Sequence, residues 1–342
     1  MKHTPLISIC IPSYNRPNEI ITLLKSIDES LSDQLEIVIC EDKSPKRDKI
    51  RQAVLDFKAE SKLTINYFEN PKNYGYDRNL RELIEKASGE FVMYMGDDDI
   101  FEPNGLGEYI SFLKENRHLG YILRRYKIIH ADGTEEHFRY YEGNQFFGKG
   151  VDAYYKLFRK STFISGFCFK REFAEQFKTS DLDSTLLYQL YLLAQICMNY
   201  PSAYCDTLIT VMDEGGRGIP EFGTSESEGA MYTPGEITID NSINFMKSYL
   251  VVTKYIDKIY NIDSTKHFKK EISKYSYPIL AVQRSKGIAE FNRYCNMLKK
   301  ELEIDSTFYY YIYYYSLVLL GEKNSRNSII FIKKFLGRTP QL

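Results

Sequence analysis

Three consecutive carboxylates, Asp97, Asp98 and Asp99, stand directly after an apolar run and a glycine, Gly96. Adjacent carboxylates repel one another, and a bound divalent cation removes that penalty. Mg²⁺ or Mn²⁺ suits such a triplet, because these ions take one or two carboxylates and fill their other positions with phosphate and water oxygens. Gly96 permits a tight turn and close approach of a ligand. A solvated acidic turn capping a following helix would use the same residues, so the place of the triplet in the fold decides between the two.

Four apolar runs, at residues 6–11, 35–40, 63–68 and 91–95, begin 29, 28 and 28 residues apart. Helical patterns lie between them, marked by Ile20, Leu23, Leu24, Ile27 and Leu31, then by Ile50, Val54 and Phe57, then by Leu80, Leu83 and Ile84. This rhythm predicts βαβ units and a mostly parallel α/β sheet with helices on both faces. All the strands then end at one edge, where ligands of such sheets bind. Pro12-Ser13-Tyr14-Asn15-Arg16, Glu41-Asp42-Lys43-Ser44, residues 70–78 and the aspartate triplet are the four loops expected there. That convergence favours the functional reading of the triplet.

Further along, residues 121–130 and 134–141 flank Ala131-Asp132-Gly133 and predict a hairpin or a longer turn. A strand over 163–170, a helix over 184–198 and a strand over 203–212 complete the expected core. Residues 214–235 are rich in Gly, Ser and Glu and predict a loop or lid, and from 236 onward the pattern is helical. The expected division is a catalytic domain over 1–235, with halves 1–110 and 111–235, and a helical extension over 236–342.

The segments SICIPSYNR at 8–16, IVICEDKS at 37–44, NYGYDRN at 73–79 and GEFVMYMGDDD at 89–99 resemble, in order and spacing, the family 2 glycosyltransferases of the GT-A fold. The resemblance covers about residues 5–215. It implies a Rossmann-like GT-A domain that moves a sugar, with inversion, from a nucleotide-diphosphate donor to a saccharide or lipid-linked acceptor, in surface polysaccharide or glycolipid synthesis. It also implies roles. Pro12, Ser13, Tyr14 and Asn15 would line the nucleobase and ribose pocket with Arg16 beside them, and Asp42 would accept an N–H of the base. Asp97 would meet ribose or metal, Asp98 the donor and Asp99 the metal, Mn²⁺ or Mg²⁺. Arg78, at the opening of a helix, would face the diphosphate, although a surface ion pair would use it equally well.

Inverting members of the family use an Asp or Glu base well after the metal motif. Asp181 and Asp183 stand in that region, with Leu182 where the family shows Glu, and Asp183 would also serve as the N-cap of a helix beginning near Ser184. Arg217, in a glycine-flanked loop, could close over the diphosphate or simply belong to a surface loop.

Composition narrows the alternatives. The 342 residues carry 45 Lys and Arg against 46 Asp and Glu, a net charge of −1, so nothing favours a nucleic-acid partner. Six cysteines without C-x-x-C spacing are expected to be reduced core residues of a cytoplasmic protein, and the first residues carry no secretion-leader pattern. A sugar-phosphate nucleotidyltransferase would also bind metal and nucleotide, but often has a glycine-rich loop after its first strand, which is absent here. A non-catalytic saccharide binder would use the 29 tyrosines and 21 phenylalanines for stacking, yet has no need of the triplet. The aromatic run at 308–320, followed by Lys323, Arg326, Lys333, Lys334 and Arg338, is too short to span a bilayer. It would suit core packing, a homodimer, or peripheral contact at the inner face of the cell membrane.

Overall fold

The computed structural model describes residues 4–215 and 221–337. Ten strands form one sheet: β1 (Ile7–Ser13), β2 (Leu35–Glu41), β3 (Ile65–Glu69), β4 (Phe91–Tyr94), β5 (Ile100–Phe101), β6 (Tyr121–Ile129), β7 (Glu135–Phe138), β8 (Gln145–Phe147), β9 (Phe167–Lys170) and β10 (Ser202–Asp213). The spatial order is β3-β2-β1-β4-β9-β6-β10-β5, with β7 on β6 and β8 on β10. The longest ladders are parallel: β1 pairs β2 from Ile7↔Leu35 to Ser13↔Glu41, and β10 pairs β6. β1 also runs parallel to β4, and β2 to β3.

The helices between these strands are α1 (Glu19–Lys25), α2 (Arg47–Glu60), α3 (Tyr76–Lys86) and α4 (Gly105–Glu115). Strand side chains alternate between two cores, as a period of two requires. Ile9, Ile37 and Met93 face a core shared with Leu24, Val54 and Ile110 of α1, α2 and α4. Cys10, Val38 and Val92 face the other, with Leu80, Leu83 and Ile84 of α3. This second core continues through α5 (Val151–Leu157), α6 (Arg171–Glu175) and α7 (Tyr188–Asn199) into a helical C-terminal portion. That portion comprises α9 (Ile239–Tyr260), α10 (Ser264–Lys274), α11 (Tyr277–Arg284), α12 (Ile288–Met297) and α13 (Phe308–Leu336), after the short α8 (Glu226–Gly229). α13 is broken at Gly321, whose φ of 75° and ψ of 177° are not helical.

Two expected elements are displaced. The strand predicted over 163–170 begins only at Phe167 and lies antiparallel between β4 and β6. Gly166, at φ 82°, turns the chain ahead of it, and a Cβ there would meet Arg124 Nε at 2.8 Å. The helix predicted from Ser184 begins at Tyr188, because Ser184 (φ 73°) and Leu186 (φ 61°) adopt left-handed conformations. The short β5 and β8 and the helices α4 to α6 carry no periodicity that singled them out. Among the described residues no helix is long and apolar enough to cross a membrane.

Candidate active site

The loops after β1, β2, β3 and β4 enclose a cavity of ≈ 300 Å³ at the carboxyl edge of the sheet. β1 supplies Pro12 and Ser13, and the turn beyond it supplies Tyr14 and Arg16. Asp42 follows β2, Gly75 and Tyr76 open α3, and Gly96, Asp97 and Asp98 follow β4. Asn15 stands beside them in a left-handed turn (φ 65°) and donates Nδ2 to Glu221 at 2.9 Å.

The triplet is divided among different partners. Asp97 is buried and accepts the amide of Tyr14 at 3.1 Å and Arg16 Nη1 at 2.8 Å. Arg16 also reaches Asp98 Oδ2 at 3.2 Å. Burial pushes the Asp97 carboxyl upward, Arg16 opposes that shift, and Asp98 adds to it. Asp99 is buried too and accepts the hydroxyl of Ser165. Ser165 in turn accepts the Gly96 amide at 3.0 Å. A methyl on Gly96 would stand 3.1 Å from Asp99 Oδ2, 3.1 Å from Ser165 Oγ and 3.2 Å from Asp98 Oδ1, so only glycine leaves these oxygens clear.

Ser165 owes its place to Arg124, a fully buried residue of β6 whose Nε donates to the Ser165 carbonyl at 2.9 Å and whose Nη2 donates to the Phe163 carbonyl at 2.9 Å. Neither Arg124 nor Ser165 was marked by the sequence, since a serine ahead of a glycine carries no signal of what it will face.

Asp42 organises the cleft wall. Its Oδ1 accepts Asn70 Nδ2 at 2.7 Å and the Tyr74 amide at 2.9 Å, and its Oδ2 accepts the Gly75 amide at 2.9 Å. Burial nevertheless raises its pKa to about 6, against these hydrogen bonds. Each Asp42 oxygen has two lone pairs, so Oδ2 keeps one for a further donor.

A third wall comes from beyond the sheet. Glu221, Phe222, Thr224 and Glu228 line the cleft. Buried Glu228 accepts the Tyr76 amide at 2.6 Å and the Gly223 amide at 3.1 Å, while Thr224 Oγ1 accepts Asn73 Nδ2 at 3.1 Å. Gly75 (φ 80°) makes this contact possible, because a Cβ there would meet Ser225 Oγ at 2.6 Å. Arg217 lies outside the described residues.

Five expected site residues do not line the cleft: Asn15 and Asp99, which adjoin lining residues in sequence, and Arg78, Asp181 and Asp183. Arg78 lies over the Tyr74 ring, 3.6 Å from its centroid, and approaches Glu82 at 3.8 Å. Asp181 accepts the Tyr255 hydroxyl at 2.7 Å. Asp183 is held by both terminal nitrogens of Arg81, with Nη2 to Oδ2 at 2.9 Å. Nor does Asp183 cap a helix. Asp77 of α3 does that work, accepting the amides of Leu186 at 2.8 Å and Tyr188 at 2.9 Å, and burial raises its pKa to about 7. Asp77 and Asn79 both belong to the NYGYDRN segment, but nothing in it tells a buried anchor from a ligand contact.

A mostly parallel, curled sheet ending in this cleft, with helices on both faces and a helical C-terminal portion, is the architecture of the GT-A fold. Residues 8–175, about half of the chain, match the model of glycosyl transferase family 2. It is 31% identical over 124 residues to the Escherichia coli UDP-Glc:alpha-D-GlcNAc-diphosphoundecaprenol beta-1,3-glucosyltransferase WfgD, covering 36% of this chain and 47% of that one. It is 29% identical over 182 residues to the Campylobacter jejuni GalNAc(5)-diNAcBac-PP-undecaprenol beta-1,3-glucosyltransferase, covering 53% and 54%. The matches span about a third to a half of the length of the curated relatives. Among solved structures, the Pyrobaculum calidifontis mannosyltransferase PcManGT in complex with GDP-Man and Mn²⁺ aligns with a TM-score of 0.51 at 15% identity, over 94% of this chain and 88% of that one. S. aureus TarS 1–349 in complex with UDP-GlcNAc aligns with a TM-score of 0.50 at 14% identity, over 97% and 92%. At these identities the two structures speak to the fold alone.

Proposed function

We propose that this chain transfers a glycosyl group, with inversion, from a nucleotide-diphosphate sugar to a hydroxyl of a saccharide or lipid-linked acceptor, in surface polysaccharide or glycolipid synthesis. One observation carries the reading. Beside the aspartates, Ser13 Oγ, Asn15 Oδ1 and Arg16 Nε are buried and have no hydrogen-bond partner among the described residues. Buried polar atoms are almost always satisfied, so a cluster of orphans at a cleft points to a polar ligand. A nucleotide presents the matching groups, and Asp42 adds an acceptor for a base N–H.

No group of three or more His, Cys, Asp or Glu side chains among the described residues forms a ready metal cage. Asp97, which lines the cleft, and Asp99, whose Oδ2 lies beside Gly96, fit the other kind of site, in which phosphate oxygens complete the shell. These two would hold Mn²⁺ or Mg²⁺, which would supply positive charge against the departing diphosphate. The Pyrobaculum mannosyltransferase, which shares the fold, is in complex with GDP-Man and Mn²⁺. Arg16 shares Asp97 and Asp98, and its guanidinium adds positive charge at the same edge of the cleft.

In the transfer, the acceptor oxygen bonds to the anomeric carbon as the bond from that carbon to the diphosphate breaks, and the hydroxyl proton passes to a carboxylate. Asp183 is the base that the family pattern proposes, and to act it must exchange Arg81 for the acceptor hydroxyl. A second reading rests on placement: Glu221 lines the cleft and accepts Asn15 Nδ2 there. Exposed Phe308, Leu319 and Phe335 on α13 support peripheral contact with the inner membrane face or pairing with a second copy.

A thermal-shift panel with UDP, GDP, dTDP and CMP, each with and without Mn²⁺, tests the reading. One nucleotide at about 100 times its dissociation constant stabilises by about 2.7 kcal/mol. Asp99→Ala removes the metal-dependent part. A wild-type chain indifferent to all four nucleotides would sink the proposal.

A further inference from the structure

Behind the cleft lies a second cavity, of ≈ 370 Å³, between the start of α7 and helices α9, α11 and α12. Its walls are mainly apolar, with Phe245, Met246, Ile279 and Tyr294 among them. The polar groups of Asn241, Ser242 and Tyr232 that reach it are engaged elsewhere. The Asn241 amide donates to the Thr233 and Glu236 carbonyls at 2.8 and 2.6 Å and accepts the Thr233 amide at 2.8 Å. Ser242 Oγ accepts Gln283 at 2.7 Å, and the Tyr232 hydroxyl lies 3.0 Å from Ser248 Oγ. A sugar or nucleotide entering here would lose its water and find few partners, a cost of several kcal/mol for each unpaired polar group. An apolar chain loses nothing comparable. Ile237 and Val282, 44% and 43% exposed, keep the mouth open and apolar.

The two cavities share a wall. Phe222 lines both, and its ring meets Tyr232 of the inner cavity edge-on, 5.9 Å between centroids. Leu186, also in the inner wall, is tied through its amide to Asp77, the neighbour of the cleft residue Tyr76. The two cavities are thus one side chain apart, so a molecule that passed Phe222 would carry a polar head in the cleft and a tail in the inner cavity. At about 30 Å³ per heavy atom, the volume holds a chain of roughly a dozen carbons.

We propose that this inner cavity seats the first part of the apolar chain of a lipid-linked acceptor, with Phe222 as the divider between tail and reacting head. The assignment rests on the transferase reading above, and the test separates the two. Binding of farnesol, a fifteen-carbon isoprenoid alcohol, is measured by calorimetry on the full chain, and nucleotide binding with Mn²⁺ is measured in parallel. Val282→Trp places a bulky ring at the mouth of a protein that has no other tryptophan, and its fluorescence reports on the same place. Val282→Asp places a charge there, and the exposure of the position lets both variants fold. Wild-type chain is expected to bind farnesol at one site, both variants to bind it at least tenfold more weakly, and all three to bind nucleotide alike. Absence of farnesol binding by the wild type, or equal binding by both variants, overturns the proposal. Farnesol binding that responds to Val282 in a chain indifferent to every nucleotide overturns the transferase reading and the acceptor assignment with it.

Discussion

On the proposed donor side of the cleft, in contrast to the proposed acceptor side, each loop leaves the end of a buried parallel strand and is held by several bonds. Asp42 accepts three N–H groups, Asp97 two donors, and Asp99 a serine fixed by a buried arginine. On the acceptor side, Asp183 and Asp181 sit in a turn with left-handed residues at 184 and 186, and Glu221 and Glu228 come from a segment joined to the sheet by side-chain contacts. The donor side is thus set by strand register, whereas the acceptor side is set by pairs that can exchange partners. An enzyme that must accept one fixed donor chemistry and a variable acceptor would place its rigidity in this way.

The largest effect separates the two proton acceptors. If Asp183 is the base, Asp183→Asn retains nucleotide binding and loses about 10²- to 10⁴-fold in turnover, while Glu221→Gln changes little. The reverse outcome moves the base to the segment after β10. Equal turnover by both variants would leave neither carboxylate as base and break the proposed division of labour.

A smaller loss is expected on the donor side. Ser165→Ala removes the hydroxyl on Asp99, and outer partners of this kind typically contribute about 10- to 100-fold in metal affinity. Mn²⁺ titration of the nucleotide-bound variant measures it. Unchanged affinity would mean that Asp99 needs no such support.

The smallest effect is in stability against pH. Burial raises Asp77 to about 7, so the folded chain holds a proton that the unfolded chain releases near the usual carboxylate value. That stabilisation is complete below the unfolded value and is lost as pH rises through about 7. Melting temperature should therefore decline between pH 5 and 8, and Asp77→Asn, which cannot titrate, should flatten the upper part of the decline. An identical slope in the variant would show that Asp42 and Asp97, raised in the same direction to about 6, carry the dependence.

What could be read in advance follows the same line. Strands β1, β2 and β4 and the triplet were legible because burial on both faces enforces apolar runs and turns at their ends must be polar, and the edge strand β3, only partly buried, was legible from the regular interval. Asp42 was legible as a cleft residue but not as the anchor of the 70–75 loop, since its partners are backbone amides that no residue type announces. Arg78 and Arg81 stand one helical turn apart and are chemically alike. Only the packing of α3 turns one onto Tyr74 and the other onto Asp183. Glu221 and Phe222 reach the cleft, and Ser165 reaches Asp99, from distant segments, and no local pattern encodes such meetings.

The position of β9 also bears on the order of folding. β1 to β4 can assemble from the first hundred residues, through connections of under thirty. The strand that seals β4 must return from residue 167, and it brings Ser165 with it. Closing so long a loop comes late. The aspartates would then complete their surroundings only after most of the sheet exists. Pulse-labelled hydrogen exchange should protect amides of β1 and β2 before those of β9, and simultaneous protection would exclude this order.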